Sequence, residues 1–381
     1  MDPRTLPLTL YVHLPWCVHK CPYCDFNSYA APPGALPDRA YVEALLRDLE
    51  TDLPAVPGRA LDAIFIGGGT PSLFSGEAIA RLLDGVRARV ACVADVEVTL
   101  EANPGAIDAA HFTAYRAAGI NRLSLGLQSM RDATLARLGR VHRVADSLRA
   151  VEIARAAGFA NFNLDLMYGL PGDRKGDALR DLARALALAP THFSWYQLTL
   201  EPGTAFGRRP PRLPSAERIA DDGDAGVAAL EAAGFARYEV SAYARPGHEA
   251  RHNLNYWQFG DYLGIGAGAH GKLTTPDGIV RTARRRHPLT WQKEAGTPAA
   301  LTRETITTSA CVTEFMLNAL RLARGFPRAL FAARTGLPDH LLEPGVRAAV
   351  DRGWLEDTAG WLRPTARGYR FLNDLQLLFV P

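Results

Sequence analysis

Through its first two-thirds the chain repeats one unit: a short apolar run, a turn, then an amphipathic stretch. The apolar runs cover 8–13, 61–66, 96–101, 122–127, 162–167 and 192–198. Between and after them lie 41–52, 76–90, 108–118, 144–157, 176–188 and 216–233, rich in Ala, Leu and Arg. Apolar residues three to four apart in these stretches predict helices, and the short runs predict buried strands. A strand followed by a helix, repeated about every 30 residues, implies a parallel sheet with right-handed crossovers. Six such units fall short of the eight that close a full barrel, so the expected fold is α/β, a partial (β/α)6 barrel. A doubly wound open sheet is the alternative on pattern alone.

The barrel is expected over 1–240, with 236–243 as a further strand. Residues 241–300 are rich in Gly, Pro, His and aromatics and read as a loop-rich extension or a short added sheet. Residues 301–381 begin a new pattern: helices at 308–323, 327–335 and 341–352, then two short apolar pairs around a turn over 353–364. Helices followed by a small hairpin predict a winged-helix-like C-terminal domain. With 381 residues and a formal net charge of only +3, the chain lacks the basic excess of a nucleic-acid binder, so this module reads as a packing unit and no nucleic-acid partner is expected. Hydrophobic residues are 48% of the chain, yet no apolar run approaches the roughly 20 residues of a membrane helix. The N-terminal segment has no secretory pattern, and a cytoplasmic location is expected.

Of five cysteines, three lie within eight residues in Cys17-Val-His-Lys-Cys21-Pro-Tyr-Cys24, directly after the first strand. An odd, clustered set is a poor disulfide framework and a good metal site. Three thiolates can wrap one cubane cluster from a single loop stiffened by Pro15 and Pro22. One iron then stays open for a ligand, as in catalytic metal sites. Structural zinc, with His13 or His19 as fourth ligand, is the alternative. Cys92 and Cys311 stand alone in apolar surroundings and read as core residues.

Ligands of (β/α) barrels sit at the C-terminal ends of the strands. There the chain places Gly67-Gly-Gly-Thr-Pro71, Glu101, Gln128 and Asp165. The glycines permit close backbone approach. The run lacks the Gly-Lys-Ser/Thr ending of a phosphate loop and the last glycine of a dinucleotide fingerprint. Four polar strand ends converging on the cysteine loop predict a pocket.

A CxxxCxxC loop after a first strand resembles the radical-SAM superfamily, in which the open iron of a 4Fe–4S cluster binds the amine and carboxylate of S-adenosylmethionine (SAM). Tyr23 matches the aromatic position usual between the second and third cysteines. Over nearly its whole length, C-terminal module included, the chain resembles the oxygen-independent coproporphyrinogen III oxidase family. That resemblance implies a 4Fe–4S cluster on Cys17, Cys21 and Cys24. It implies a SAM pocket of Tyr11, Gly68, Gly69, Thr70, Glu101, Gln128, Arg140 and Asp165.

Three features resemble the heme-chaperone branch of the family instead of the oxidases. Phe26 stands where oxidases carry a further cysteine. The oxidases' N-terminal extension has no counterpart before Tyr11. His252-Asn-Leu-Asn-Tyr-Trp257 resembles the branch's HNxxYW mark. The resemblance implies a protein that binds heme and delivers it to acceptor hemoproteins, with cluster and SAM acting in release or transfer and a cytosolic electron donor as partner. His252 is then the expected heme ligand and His270, among glycines, the competing one. The alternative is the oxidase itself, removing two propionate carboxyls through a 5′-deoxyadenosyl radical. A homodimer, and peripheral membrane contact through the acceptors, stay open. The basic run Arg281–Arg286 reads as a solvated loop, with propionates or an acidic partner as the other reading.

Overall fold

A computed structural model describes residues 2–31 and 36–380. In β1 (Leu8–Leu14), Leu8, Leu10, Val12 and Leu14 are fully buried in the core beneath the helices. Thr9, Tyr11 and His13 alternate with them and take the opposite, enclosed face. The same two-residue rhythm runs through β2 (Ala60–Gly68), β3 (Ala91–Ala102), β4 (Arg122–Gln128), β5 (Phe162–Tyr168) and β6 (His192–Gln197). Ile64, Leu100, Leu125, Leu164 and Phe193 pack outward. Glu101, Ser124, Asp165 and Ser194 face inward.

Each strand pairs in parallel with the next, from β1 to β6. The crossovers are helices α1 (Asp38–Glu50), α2 (Gly76–Arg87), α3 (Ala109–Ala118), α4 (Val144–Ala156) and α5 (Asp177–Leu186), with α6 (Ala216–Ala232) after β6. Helix α2 shows why they form. The Ser75 hydroxyl caps it by accepting from Ala78 N, and Ile79, Leu82, Leu83 and Val86 bury one face. The partial barrel is as the six units predicted.

Its interior is unusual. Closed (β/α)8 barrels fill the bore with branched apolar side chains. Here Thr9, Glu97, Arg122, Asn163 and His192 are all buried on the enclosed face. Most are held by hydrogen bonds: Asn163 Nδ2 donates to Asp165 Oδ1 at 2.7 Å, the His192 ring bridges Asn163 Oδ1 (2.7 Å) and the Tyr238 hydroxyl (2.8 Å), and Thr9 Oγ1 accepts from Asn255 Nδ2 at 3.0 Å.

The region after α6 differs from the loop-rich reading. Strands β7 (Ala236–Arg237) and β8 (Ala242–Ala244) extend the sheet antiparallel beyond β6. Helix α7 (Arg251–Trp257), which carries the HNxxYW run, packs against β2. Strand β9 (Asp261–Ile265) then returns beside β1, parallel to it, with Leu8 opposite Asp261. Strands β10 (His270–Thr275), β11 (Gly278–Arg284) and β12 (Leu301–Thr305) add antiparallel. The sheet order is β12-β11-β10-β9-β1-β2-β3-β4-β5-β6-β8-β7. A buried ion cluster pins β9: Asp261 meets Arg59 at 2.8 Å and Lys272 at 3.0 Å.

The C-terminal module comprises α8 (Thr308–Ala319), α9 (Ala329–Thr335) and α10 (Glu343–Asp351). Strands β13 (Phe326–Pro327), β14 (Leu355–Thr358) and β15 (Trp361–Pro364) form its small sheet. Its core centres on Phe315, whose ring lies 5.5 Å from that of Phe326 and 5.1 Å from that of Phe331. Phe259, preceding β9, joins this core at 5.6 Å from Phe315. Cys311 is buried in the same core, while half-buried Cys92 packs on the barrel's outer core.

Candidate functional site

Two adjoining cavities open at the C-terminal ends of the strands. The first, of 410 Å³, is bordered by Cys17, Cys21 and Cys24 on one side. Gly68, Gly69, Thr70, Glu101, Gln128 and Asp165 border the other. Tyr23 and Arg140 complete it. Of the residues expected around SAM, only Tyr11 lies outside; it lines the second cavity.

The cysteine loop is held at both ends. Tyr29 N donates to Pro15 O and Ala31 N to Cys17 O, each at 2.8 Å. The glycine turn is bonded onto it, Gly69 N to Leu14 O at 2.7 Å and Thr70 N to Trp16 O at 2.8 Å. Glycine is required here. Gly68 has φ +116°, and a Cβ on it would stand 2.6 Å from the His13 ring. A Cβ on Gly69 would stand 2.7 Å from the Pro15 carbonyl carbon.

All five cysteines are free thiols. Arg140 Nη1 lies 3.9 Å from Cys21 Sγ while its Nη2 donates to Gly126 O at 2.8 Å. Ser28 Oγ lies 3.7 Å from Cys24 Sγ. Burial pushes the Cys17 thiol up and the Thr70 hydroxyl pulls it back. Three thiols presented from one loop are the donor set that a 4Fe–4S cluster takes. His13, open as a fourth zinc ligand on sequence, has both nitrogens spent: Nδ1 on the Tyr11 hydroxyl (2.8 Å), Nε2 on Asn27 O (2.9 Å).

Opposite the thiols stand two carboxyls. Glu101 Oε2 accepts from Gly68 N at 3.0 Å. Desolvation, then the nearby Asp165, raise its pKa to about 7 despite that bond. Asp165 accepts from Asn163 Nδ2 at 2.7 Å and Ser124 Oγ at 3.3 Å, and burial raises its pKa too. Neither is ion-paired among the described residues. Gln128 ends β4 at a bulge with φ +67°, which turns its amide into the cavity, where Oε1 accepts from the Tyr196 hydroxyl at 2.7 Å.

The second cavity is larger, 930 Å³, and shares Asp25, Phe26, Gly68 and Glu101 with the first. Phe26, on the wall between them, is 58% exposed. Aromatic rings dominate its lining: Tyr11, Phe65, Tyr256, Trp257 and Tyr262. His270, Lys272, Arg281 and Arg286 supply nitrogen. Lys272 was not expected, while Arg281 and Arg286 come from the basic run whose other reading was contact with propionates or an acidic partner. Arg281–Arg286 is no solvated loop; it begins within β11. The missed signal is Thr275-Pro-Asp-Gly278, a hairpin turn between two alternating runs.

The structure separates the two histidines proposed for heme. His270 is exposed on the cavity lining. His252 is 5% exposed and does not line it. Its ring packs on Phe65 at 4.1 Å, and its Nδ1–H donates to Glu97 Oε1 at 3.2 Å. Glu97 also accepts from Arg251 N at 3.1 Å, capping α7. Burial opposes its charge, but the His252 bond, Arg122 and that amide outweigh it and hold the carboxyl at about 2. Asn253 Nδ2 donates to the Tyr238 hydroxyl at 3.0 Å, and Asn255 Nδ2 to Thr9 Oγ1 at 3.0 Å and Asp261 O at 2.8 Å. The polar half of HNxxYW thus fastens α7 to the sheet, and its aromatic half forms cavity wall.

The radical SAM superfamily profile matches residues 11–185, and that of the HemN C-terminal domain matches 310–371. Heme chaperone HemW of Escherichia coli (strain K12) is 49% identical over 375 residues, 98% of each chain. The chain belongs to the HemW family. Heme chaperone HemW of Mycobacterium tuberculosis (strain H37Rv) is 40% identical, over 86% of this chain and 85% of its own. Among solved structures, E. coli coproporphyrinogen III oxidase (HemN), a radical SAM enzyme, superposes with a TM-score of 0.83. The match covers 99% of this chain and 91% of that one at 22% identity, so it speaks to fold alone. Membership of the radical SAM superfamily implies a 4Fe–4S cluster and SAM, and the thiols, carboxyls and glycine turn of this HemW-family chain fit both. No helix among the described residues is long and apolar enough to cross a membrane.

Proposed function

We propose that this chain binds heme in the 930 Å³ cavity and hands it to acceptor hemoproteins. One observation carries the reading: an aromatic-walled cavity with an imidazole on its lining adjoins the cluster pocket through a shared wall. Its size is at the upper end of the ~300–1,000 Å³ of small-molecule sites, as a porphyrin needs. Both identified relatives are named heme chaperones.

A 4Fe–4S cluster on Cys17, Cys21 and Cys24 supplies electron transfer and an open iron for SAM. Arg140 steadies Cys21, and Glu101 and Asp165 hold the sulfonium charge and ribose hydroxyls of SAM against the Gly68–Gly69 backbone. On the other side of the shared wall, Tyr256 and Trp257 offer flat faces to the porphyrin. His270 ligates its iron, imidazole being a common axial ligand. His252 acts at one remove, by keeping α7 in place. A cytosolic electron donor reaches the cluster.

The test is anaerobic heme titration of the reconstituted protein, followed by absorption spectra. His270→Ala should lose the spectrum of histidine-ligated heme and weaken uptake about ten- to a hundredfold, with iron and sulfide content unchanged. His252→Ala should keep the ligated spectrum. The converse result moves the ligand to His252. Conversion of coproporphyrinogen III to protoporphyrinogen by the wild type would overturn the chaperone reading.

A further inference from the structure

Resting on the heme reading, we propose that Arg286 and Arg281 grip the two propionates of the porphyrin, so that the cavity selects its ligand by an acidic edge as well as by iron. The β10–β11 register places Lys272 directly opposite Arg281. His270 precedes Lys272 by two positions and so shares its face. Like charges opposed across a ladder destabilise it, and are retained where something anionic answers them.

Inside the protein the answer is incomplete. Asp261 meets Lys272 at 3.0 Å, but it also serves Arg59 at 2.8 Å. Arg281 is ion-paired with Glu314, Nε donating to Oε2 at 2.8 Å and Nη2 to the same oxygen, and its Nη1 donates to the Tyr262 hydroxyl at 2.9 Å. These contacts fix the guanidinium at the cavity wall and leave one N–H on each Nη for a carboxylate.

The basic run divides by use. Arg284 is buried against Asp48 and Asp52, and Arg285 is paired with Glu294 and bonded to Ala299 O. Both are structural. Arg286 lines the cavity, is exposed, and has no ion pair among the described residues. Its backbone is nonetheless fixed: its carbonyl accepts from Asn27 Nδ2 at 2.8 Å and from the Tyr29 hydroxyl at 3.3 Å. A rigidly based, unpaired guanidinium beside an aromatic cavity suits a carboxylate carried on a flat apolar body. Heme is such a ligand, with two propionates on one edge.

Hemin and hemin dimethyl ester, which lacks both carboxylates, provide the test on the anaerobically reconstituted full chain. The wild type should bind hemin about tenfold or more tightly than the ester, the size of a lost charge-assisted hydrogen bond. Arg286→Gln should lose about that factor for hemin and none for the ester. Arg281→Lys, which keeps the charge but not the fork, should also narrow the preference. Equal wild-type affinity for both, or equal weakening of both by Arg286→Gln, overturns the carboxylate grip and leaves the heme reading standing. Failure of the wild type to bind either ligand overturns the heme reading itself.

Discussion

Replacing Glu101 by Gln tests the electrostatics of the first cavity without changing its shape. The Gln Oε1 can still accept from Gly68 N, now 3.0 Å from the carboxylate. What disappears is a carboxyl whose pKa is raised to about 7 by desolvation and by Asp165. The folded protein therefore holds this proton more tightly than the unfolded chain, where the pKa is near 4.5. Well below pH 4.5 both forms are protonated and the group costs nothing. As pH rises, the unfolded chain ionises first and stability falls, levelling off above pH 7. The interval is worth at most roughly 3.5 kcal/mol, at about 1.4 kcal/mol per unit, and cavity water screens part of it. Urea unfolding of wild type and Glu101→Gln from pH 5 to 8.5 measures the difference for Glu101 and the Asp165 carboxyl coupled to it, the titrations of distant groups cancelling between the two. The variant's advantage over wild type should be smallest at pH 5 and grow until it levels off above pH 7. SAM, a sulfonium cation, should drive proton release from wild type near pH 6–7 and not from the variant, read by calorimetry in buffers of different ionisation enthalpy. Parallel stability curves, with equal proton release, would refute the assignment of a neutral, cation-seeking Glu101.

Serine at Cys17, Cys21 or Cys24 should abolish most iron binding in anaerobic reconstitution, since a hydroxyl replaces a soft thiolate, while serine at Cys92 or Cys311 should leave iron content intact. Glu97→Ala strips a buried acceptor from Arg251 N and His252 Nδ1, so urea denaturation should show a loss of about 2–4 kcal/mol, and heme affinity should fall although Glu97 does not line the cavity.

The barrel was legible because each parallel strand carries its own evidence: apolar side chains toward helices, polar ones toward the bore, at a spacing a reader can count. The cysteine loop and strand-end carboxyls followed from it. Strand β9 was not legible. Asp261–Ile265 is short and lies among glycines and aromatics, and what makes it a strand is pairing with Leu8–Val12, some 250 positions away. His252 shows a related limit of the sequence. His, Asn, Tyr and Trp in one run suggest a ligand set, but spacing does not say that Glu97 waits beneath the helix to take the imidazole. The basic run was misjudged because charge alone suggests solvent, whereas Arg284 finds Asp48 and Asp52 only once β11 is placed.

Phe259 belongs to two neighbourhoods at once. One side of its ring meets Phe315 in the C-terminal core; Lys272 Nζ sits 4.2 Å from its centroid, and the ring also forms cavity wall. Its backbone is in the left-handed region, φ +56°, a conformation that costs a bulky residue about 1–2 kcal/mol and persists only where packing on both sides insists on it. Cutting the chain before α8 would therefore not free a self-sufficient barrel. It would strip Phe259 of the partner that holds it, let the strained turn relax, and admit water through the wall behind Lys272. The smallest piece of this protein able to keep that cavity wall closed includes α8, which supplies Phe315 behind Phe259 and Asn318 to the lining itself.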